Sequence, residues 1–230
     1  MENKLGKLKD YFNDDELASN VWLTKYALKD KSGKFLEETP DDMHDRIASE
    51  FARIEEKFGG EKTLSKQQIF DLIKNFKYIV PQGSPMMGIG NNHVNVSLSN
   101  CVVVASPDDN ISSILDSGKS LANLFKRRCG VGLDISQLRP EGTPVNNSAG
   151  TTTGAWSFAD LYSYVCRMIG QNGRRGALMI SMDIRHPDIE KFVTMKHDLT
   201  KVTGANVSVK ISDDFMEAVE SNGTFTLRFP

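Results

Sequence analysis

Three cysteines stand at positions 101, 129 and 166, and no two of them form a C-x-x-C pair. A thiol does chemistry as a thiolate nucleophile, as a metal ligand or as half of a redox couple. Cys101 has the surroundings for such a role. It follows Ser97, Ser99 and Asn100, while Val94, Val96, Leu98, Val102 and Val104 fall on the alternate positions. A two-residue period predicts a strand over about 94–104, with Cys101 on the polar face. A cysteine kept for packing joins the apolar set. The plainer reading of Cys101 is a small, half-buried residue. Cys166 lies in a helical stripe beside Val165 and Ile169, and Cys129 precedes Gly130 at a helix end; both read as structural.

Two glycine segments come next. Gly130-Val131-Gly132 and Gly173-Arg174-Arg175-Gly176 offer backbone amides, and the second adds guanidinium groups, to a phosphate or a base edge. Neither is a Walker A loop, and each alone reads equally as a turn. Asp108-Asp109 follows the strand pattern and suits either a helix cap or a ribose hydroxyl. His186-Pro187-Asp188 reads as a helix start. Four scattered histidines give no metal-ligand spacing, so no structural zinc or other metal is expected.

The elements that must position these groups divide into two parts. Met43, Ile47, Phe51, Ile54 and Phe58 make one helical face, opened by Pro40-Asp41-Asp42 and stopped by Gly59-Gly60. Ser65 and Gln68 form a capping box for a second helix carrying Ile69, Leu72, Ile73 and Phe76. Residues 82–90 hold three glycines and a proline and are expected to be non-helical. From about residue 94, strands and helices alternate, with helical stripes over 111–128 and 155–169 and strands near 177–182, 207–211 and 225–229. The expectation is a mixed α/β chain, with a helical domain over 1–92 and an α/β domain over 93–230. Across its 230 residues, 28 Lys+Arg against 30 Asp+Glu give a net charge of −2, which excludes a strongly basic DNA or RNA binder. No apolar run approaches the roughly 18 residues of a membrane span. The start, MENKLGKLKDYF, carries no secretory pattern, so the expected compartment is the reducing cytoplasm.

Taken in order, Pro81–Gly90, Leu98-Ser99-Asn100-Cys101, Gly130-Val131-Gly132, Leu138–Gly142, Gly173–Ala177 and His186-Pro187-Asp188 with Phe192 resemble the large, catalytic subunit of ribonucleotide reductases. The wording is most similar to the adenosylcobalamin-dependent, class II branch. The resemblance implies an N-terminal helical domain followed by the first part of a ten-stranded α/β barrel. It implies that Cys101 is one of two thiols that reduce the substrate ribose, closing a disulfide as the 2′-hydroxyl leaves as water. Ser84 and Asn100 match positions that hold the ribonucleotide's ribose and phosphate, and Gly130 and Gly132 match backbone that lets it approach. Asp108 or Asp109 matches the ribose contact of an ATP or dNTP effector. Arg139 matches the first specificity loop, and Gln171, Asn172, Arg174 and Arg175 match the second. The helices over 111–128 and 155–169 match those that pair across a homodimer.

Departures from the family pattern set further expectations. The Asn-x-Cys-x-Glu radical loop, the second reducing cysteine and an ATP-cone domain have no counterpart here, and Cys129 stands where the family usually has glycine. The chain is therefore expected to be a front portion of the subunit, inactive alone. A complementary chain would supply the thiyl-radical cysteine and the other thiol, and a thiol reductant would reopen the disulfide. The other reading is a non-catalytic nucleotide-binding regulatory remnant of a reductase, which would have no need of Cys101. Diphosphate and triphosphate substrates are not distinguished.

Overall fold

The computed structural model describes residues 2–60, 63–169, 176–198 and 200–229. It divides into two compact units, Met1–Asn100 and Cys101–Pro230. No described helix is long and apolar enough to cross a membrane.

The first unit is helical: α1 (Glu2–Tyr11), α2 (Glu16–Lys25), α3 (Pro40–Phe58), α4 (Lys66–Ile73) and α5 (Gly83–Gly88). The start of α3 follows its sequence signals. Pro40 takes the first helical position, and the Asp42 carboxylate accepts from the Glu38 and Thr39 amides at 2.8 and 3.0 Å. Gly59, at φ +56°, stops the helix where a side chain would be strained. The α4 capping box is also present, with Gln68 Oε1 accepting from Ser65 N at 2.9 Å. Leu8, Trp22, Met43, Ile47, Ile69 and Ile73 build the core. Phe51 and Phe58, from the expected α3 face, are exposed, and Ala48 and Ala52 turn to the core in their place.

Two expectations fail between residues 82 and 100. Residues 83–88 are helical, because Pro85 lies in the first turn, where its missing N–H has no partner to lose. The strand expected over 94–104 shrinks to Cys101–Val103. Polar side chains ahead of it satisfy the backbone locally instead. Asn91 Oδ1 accepts from the His93 and Val94 amides, and Ser97 Oγ accepts from Ser99 N while donating to Ser99 O.

The second unit runs β1 (Cys101–Val103), α6 (Ile111–Phe125), β2 (Gly130–Asp134), α7 (Ala155–Met168), β3 (Leu178–Asp183), α8 (Ile189–Thr194), β4 (Asn206–Lys210) and α9 (Asp213–Glu220). The four strands form one parallel sheet in sequence order. Such an order, with a helix after each strand, is that of an α/β barrel under construction. Residues 225–229, expected as a strand, are not in the sheet; Arg228 N instead donates to Arg185 O at 2.7 Å. The α6 cap is Asn110, whose side chain accepts from Ser113 N, and not the expected Asp108-Asp109. Val131, Leu133, Ile180 and Met182 pack with Leu121, Phe125 and Tyr162 in the core.

One buried carboxylate organises the long β2–α7 connection. Asp188 sits at the start of α8, as a cap would, but makes no cap bond to α8. Its oxygens accept from Glu141 N at 3.0 and 3.1 Å and from Ala155 N, at the start of α7, at 3.0 Å. Gly154 passes so close, at φ +88°, that a Cβ there would lie 2.5 Å from Asp188 Oδ2. His186 Nδ1 accepts from Asp188 N while Nε2 donates to Leu138 O, a pairing that one neutral tautomer satisfies.

Two predictions follow from these packing facts. Asp188→Ala strands two amides and should lower unfolding free energy by about 3 kcal/mol, with Asp188→Asn losing roughly half as much; urea midpoints measure both. The second concerns His44, which is 0% exposed and, among the described residues, has no hydrogen-bond partner on either ring nitrogen. It packs edge-on to Phe70 and Phe76, and burial lowers its pKa from 6.5 despite Asp41 Oδ1 at 3.7 Å. Asp41 also accepts from Tyr11 Oη. The unfolded chain then binds the proton more readily than the folded one. Stability is complete above about pH 6.5 and falls as pH drops below it. His44→Phe should flatten the difference between urea midpoints at pH 5.5 and 7.5.

Candidate functional site

The sheet has two unlike faces. Register pairs Cys101 with Gly130 and Val103 with Gly132, so all four project to one side. A Cβ built on Gly132 would meet Val103 Cγ2 at 3.5 Å, which fixes that side. The alternate residues, Val102, Val131 and Leu133, belong to the helix-covered core. Cys101 is a free, exposed thiol on the opposite face, where Gly130 and Gly132 of the next strand carry no side chain. The other thiols differ. Cys166 is buried and its pKa is pushed up by burial, and Cys129 is buried with its sulfur donating to Gly130 O.

The same face carries a polar group farther along the strands. Asp134 accepts from Ser181 Oγ at 2.7 Å, from Ser136 N at 3.1 Å and from Lys210 Nζ at 3.1 Å. Partial burial pushes the Asp134 carboxyl up, but the bonds from Ser181, Ser136 and Lys210 outweigh it and hold the group below its ordinary value. Sequence reading missed this cluster because its members come from three strands with no local motif.

In the helical unit, Ser84 is buried at the start of α5 and its amide donates to Asn100 Oδ1 at 2.7 Å. The structure thus joins two of the expected substrate residues, and the second is peptide-bonded to Cys101. Tyr26 packs beneath Gly83, where a Cβ would come within 3.0 Å of its ring.

The expected effector residues Asp109 and Arg139 meet each other. Arg139 Nε donates to Asp109 Oδ2 at 2.6 Å, its backbone N to Oδ1 at 3.1 Å, and its Nη atoms to Pro144 O and Asp109 O. Asp108, beside them, uses its backbone amide on Ser113 Oγ. Gln171, Asn172, Arg174 and Arg175 lie outside the described residues. The loop that Arg139 opens borders a hollow of about 450 Å³, lined by Glu141, Thr152, Trp156 and Ser157 among others. Among the described residues, no three His, Cys, Asp or Glu side chains converge on a possible metal site.

Comparison with known proteins gives these features a family. Residues 12–93 match "Ribonucleotide reductase, all-alpha domain" and residues 99–230 match "Ribonucleotide reductase, barrel domain". A vitamin B12-dependent ribonucleoside-diphosphate reductase of Mycobacterium tuberculosis is 32% identical over 93% of this chain, which spans 30% of that relative. The namesake from Thermoplasma acidophilum is 31% identical over 66% of this chain and 20% of its own length. The ribonucleoside-diphosphate reductase large subunit of Trypanosoma brucei brucei is 32% identical over 58% of this chain and 17% of its own. The chain spans less than a third of these relatives. With a helical unit and the opening of a parallel barrel matched in order, this chain belongs to the ribonucleotide reductase large-subunit family.

Proposed function

We propose that this chain is the front section of a ribonucleotide reductase catalytic subunit, whose reaction also needs the remaining barrel. The exposed Cys101 thiol, on the open sheet face beside Gly130 and Gly132, carries this reading. A ribonucleotide lying over the glycines would bring its ribose to the thiol; following the resemblance, Ser84 and Asn100 are proposed contacts of its ribose and phosphate. Cys101 and a second thiol from the remaining part of the subunit then give up two electrons and two protons. The 2′-hydroxyl leaves as water, the ribose carbon gains hydrogen, and the sulfurs close a disulfide that a thiol reductant reopens. A reducing cytoplasm suits that cycle.

The loop behind Arg139 is the proposed seat of an ATP or dNTP effector, with Asp108 or Asp109 as the ribose contact and, by the resemblance, Gln171, Asn172, Arg174 and Arg175 as the second specificity loop. Its two ends are already tied by Asp188. On α6 and α7, Ile114, Leu121, Phe125 and Tyr162 serve the chain's own core, whereas Ile111, Leu115, Tyr164 and Met168 stay exposed and supply the proposed homodimer contact.

The B12-dependent relatives suggest adenosylcobalamin as the radical source. Following the resemblance, most cobalamin contacts are assigned to the remaining part of the subunit, and no step of this chain is routed through them.

Mixing the chain with the remainder of the subunit should restore reduction of nucleoside diphosphates. Cys101→Ser should bring multiple turnover down to background, because a single thiol cannot complete the two-electron couple. Cys166→Ala, remote from the open face, should remain active. An active Cys101→Ser complex would overturn the assignment. Binding of dATP, dTTP or dGTP to the chain, without any complementary chain that restores turnover, would favour the regulatory module.

A further inference from the structure

Helix α5 has six residues, too few to hold its own shape in water, so its geometry is imposed by its neighbours. Tyr26 and Asn100 hold its Ser84 end. The other end is held by Arg46, near the middle of α3. Arg46 Nη2 donates to Met86 O at 2.9 Å, and Nη1 donates to Ile89 O. These carbonyls belong to the α5 C-terminus, where helix acceptors otherwise lack donors. Arg46 Nε donates to Glu37 Oε1 at 2.7 Å, and Glu37 Oε2 accepts from Leu28 N at 2.7 Å. The pair is nearly sealed from solvent, with side-chain exposures of 11% and 5%. Gly90, at φ +69°, lies against the arginine stem, where a Cβ would sit 2.9 Å from Arg46 Cγ.

We infer that Arg46, oriented by Glu37, is the positioning residue for α5 and sets where Ser84 meets the substrate's phosphate. This rests on the substrate reading of Ser84 given above. The requirement is geometric. A guanidinium joins one carboxylate and two carbonyls along three fixed directions, whereas an ammonium supplies a point charge without that fork. Glu37 fixes the rotation of the guanidinium plane, so neutralising it frees the fork without removing it.

The test uses Arg46→Lys and the milder Glu37→Gln in the full chain, alone and combined with the rest of the subunit. By hydrogen exchange, the amides of Met86, Ile89 and Asn91 should exchange about tenfold faster in both variants, while Ile69 in α4 stays within about twofold. With CDP and ADP as probes, KM should rise about tenfold at nearly constant kcat, the signature of lost binding common to ground and transition states. A general loss of stability would instead speed exchange throughout the helical unit and lower the active fraction, reducing apparent kcat. Unchanged exchange at 86–91 would overturn the inference. So would loosened amides with an unchanged KM, provided Ser84→Ala raises KM. If Ser84→Ala leaves KM unchanged, the substrate reading of Ser84 fails on its own, and the functional half of this inference falls with it.

Discussion

A parallel strand presents its side chains alternately to two faces, and in residues 101–210 the core helices cover only one of them. That constraint governs the whole α/β unit. Valine, leucine and isoleucine on the covered face supply the apolar burial, at roughly 25 cal/mol per Å² removed from water, that sets the strands against α6 and α7. Relieved of packing duty, the other face can hold what packing would exclude: an exposed thiol, two glycines and the Asp134, Ser181 and Lys210 group. Packed and open positions are divided by the two-residue period, and Cys101 falls on the open side.

Irregular backbone in each unit is held by a charged side chain that is remote in sequence. Asp188 ties the two ends of the β2–α7 connection, and Arg46 ties the end of α5. Both work in the same way. Backbone groups that no helix or ladder can satisfy are met by a charged side chain whose other atoms are also bonded, so its burial is compensated. In each case a glycine, Gly154 or Gly90, removes the Cβ that would hold the backbone away.

Local signals were read well from the sequence. The Pro40 start and Gly59 stop of α3, the Ser65–Gln68 box, the alternation of strands and helices after residue 100, and the buried character of Cys129 and Cys166 all depend on neighbours within a turn or two. The errors arose where local chemistry competed. Valine periodicity before Cys101 pointed to a long strand, but Asn91 and Ser97 offered the backbone nearer partners. Glycine and proline density suggested coil over 82–90, but neither breaks a first turn. Asp108-Asp109 looked like a cap, but Asn110 lay one residue closer and Asp109 turned to Arg139. Asp188, Arg46 and Asp134 went unrecognised because most of their partners lie roughly thirty to seventy-five residues away in sequence, which no periodicity records.

The Asp188 clamp also separates the interior of the β2–α7 connection from the fold that bears it. With both ends fixed to one carboxylate, the span between Glu141 and Ala155 is closed whatever its middle contains. Closure entropy grows only with the logarithm of length, about 0.6 kcal/mol for each doubling. Residues inside the clamp can therefore be exchanged, added or removed at little cost to the barrel that carries them.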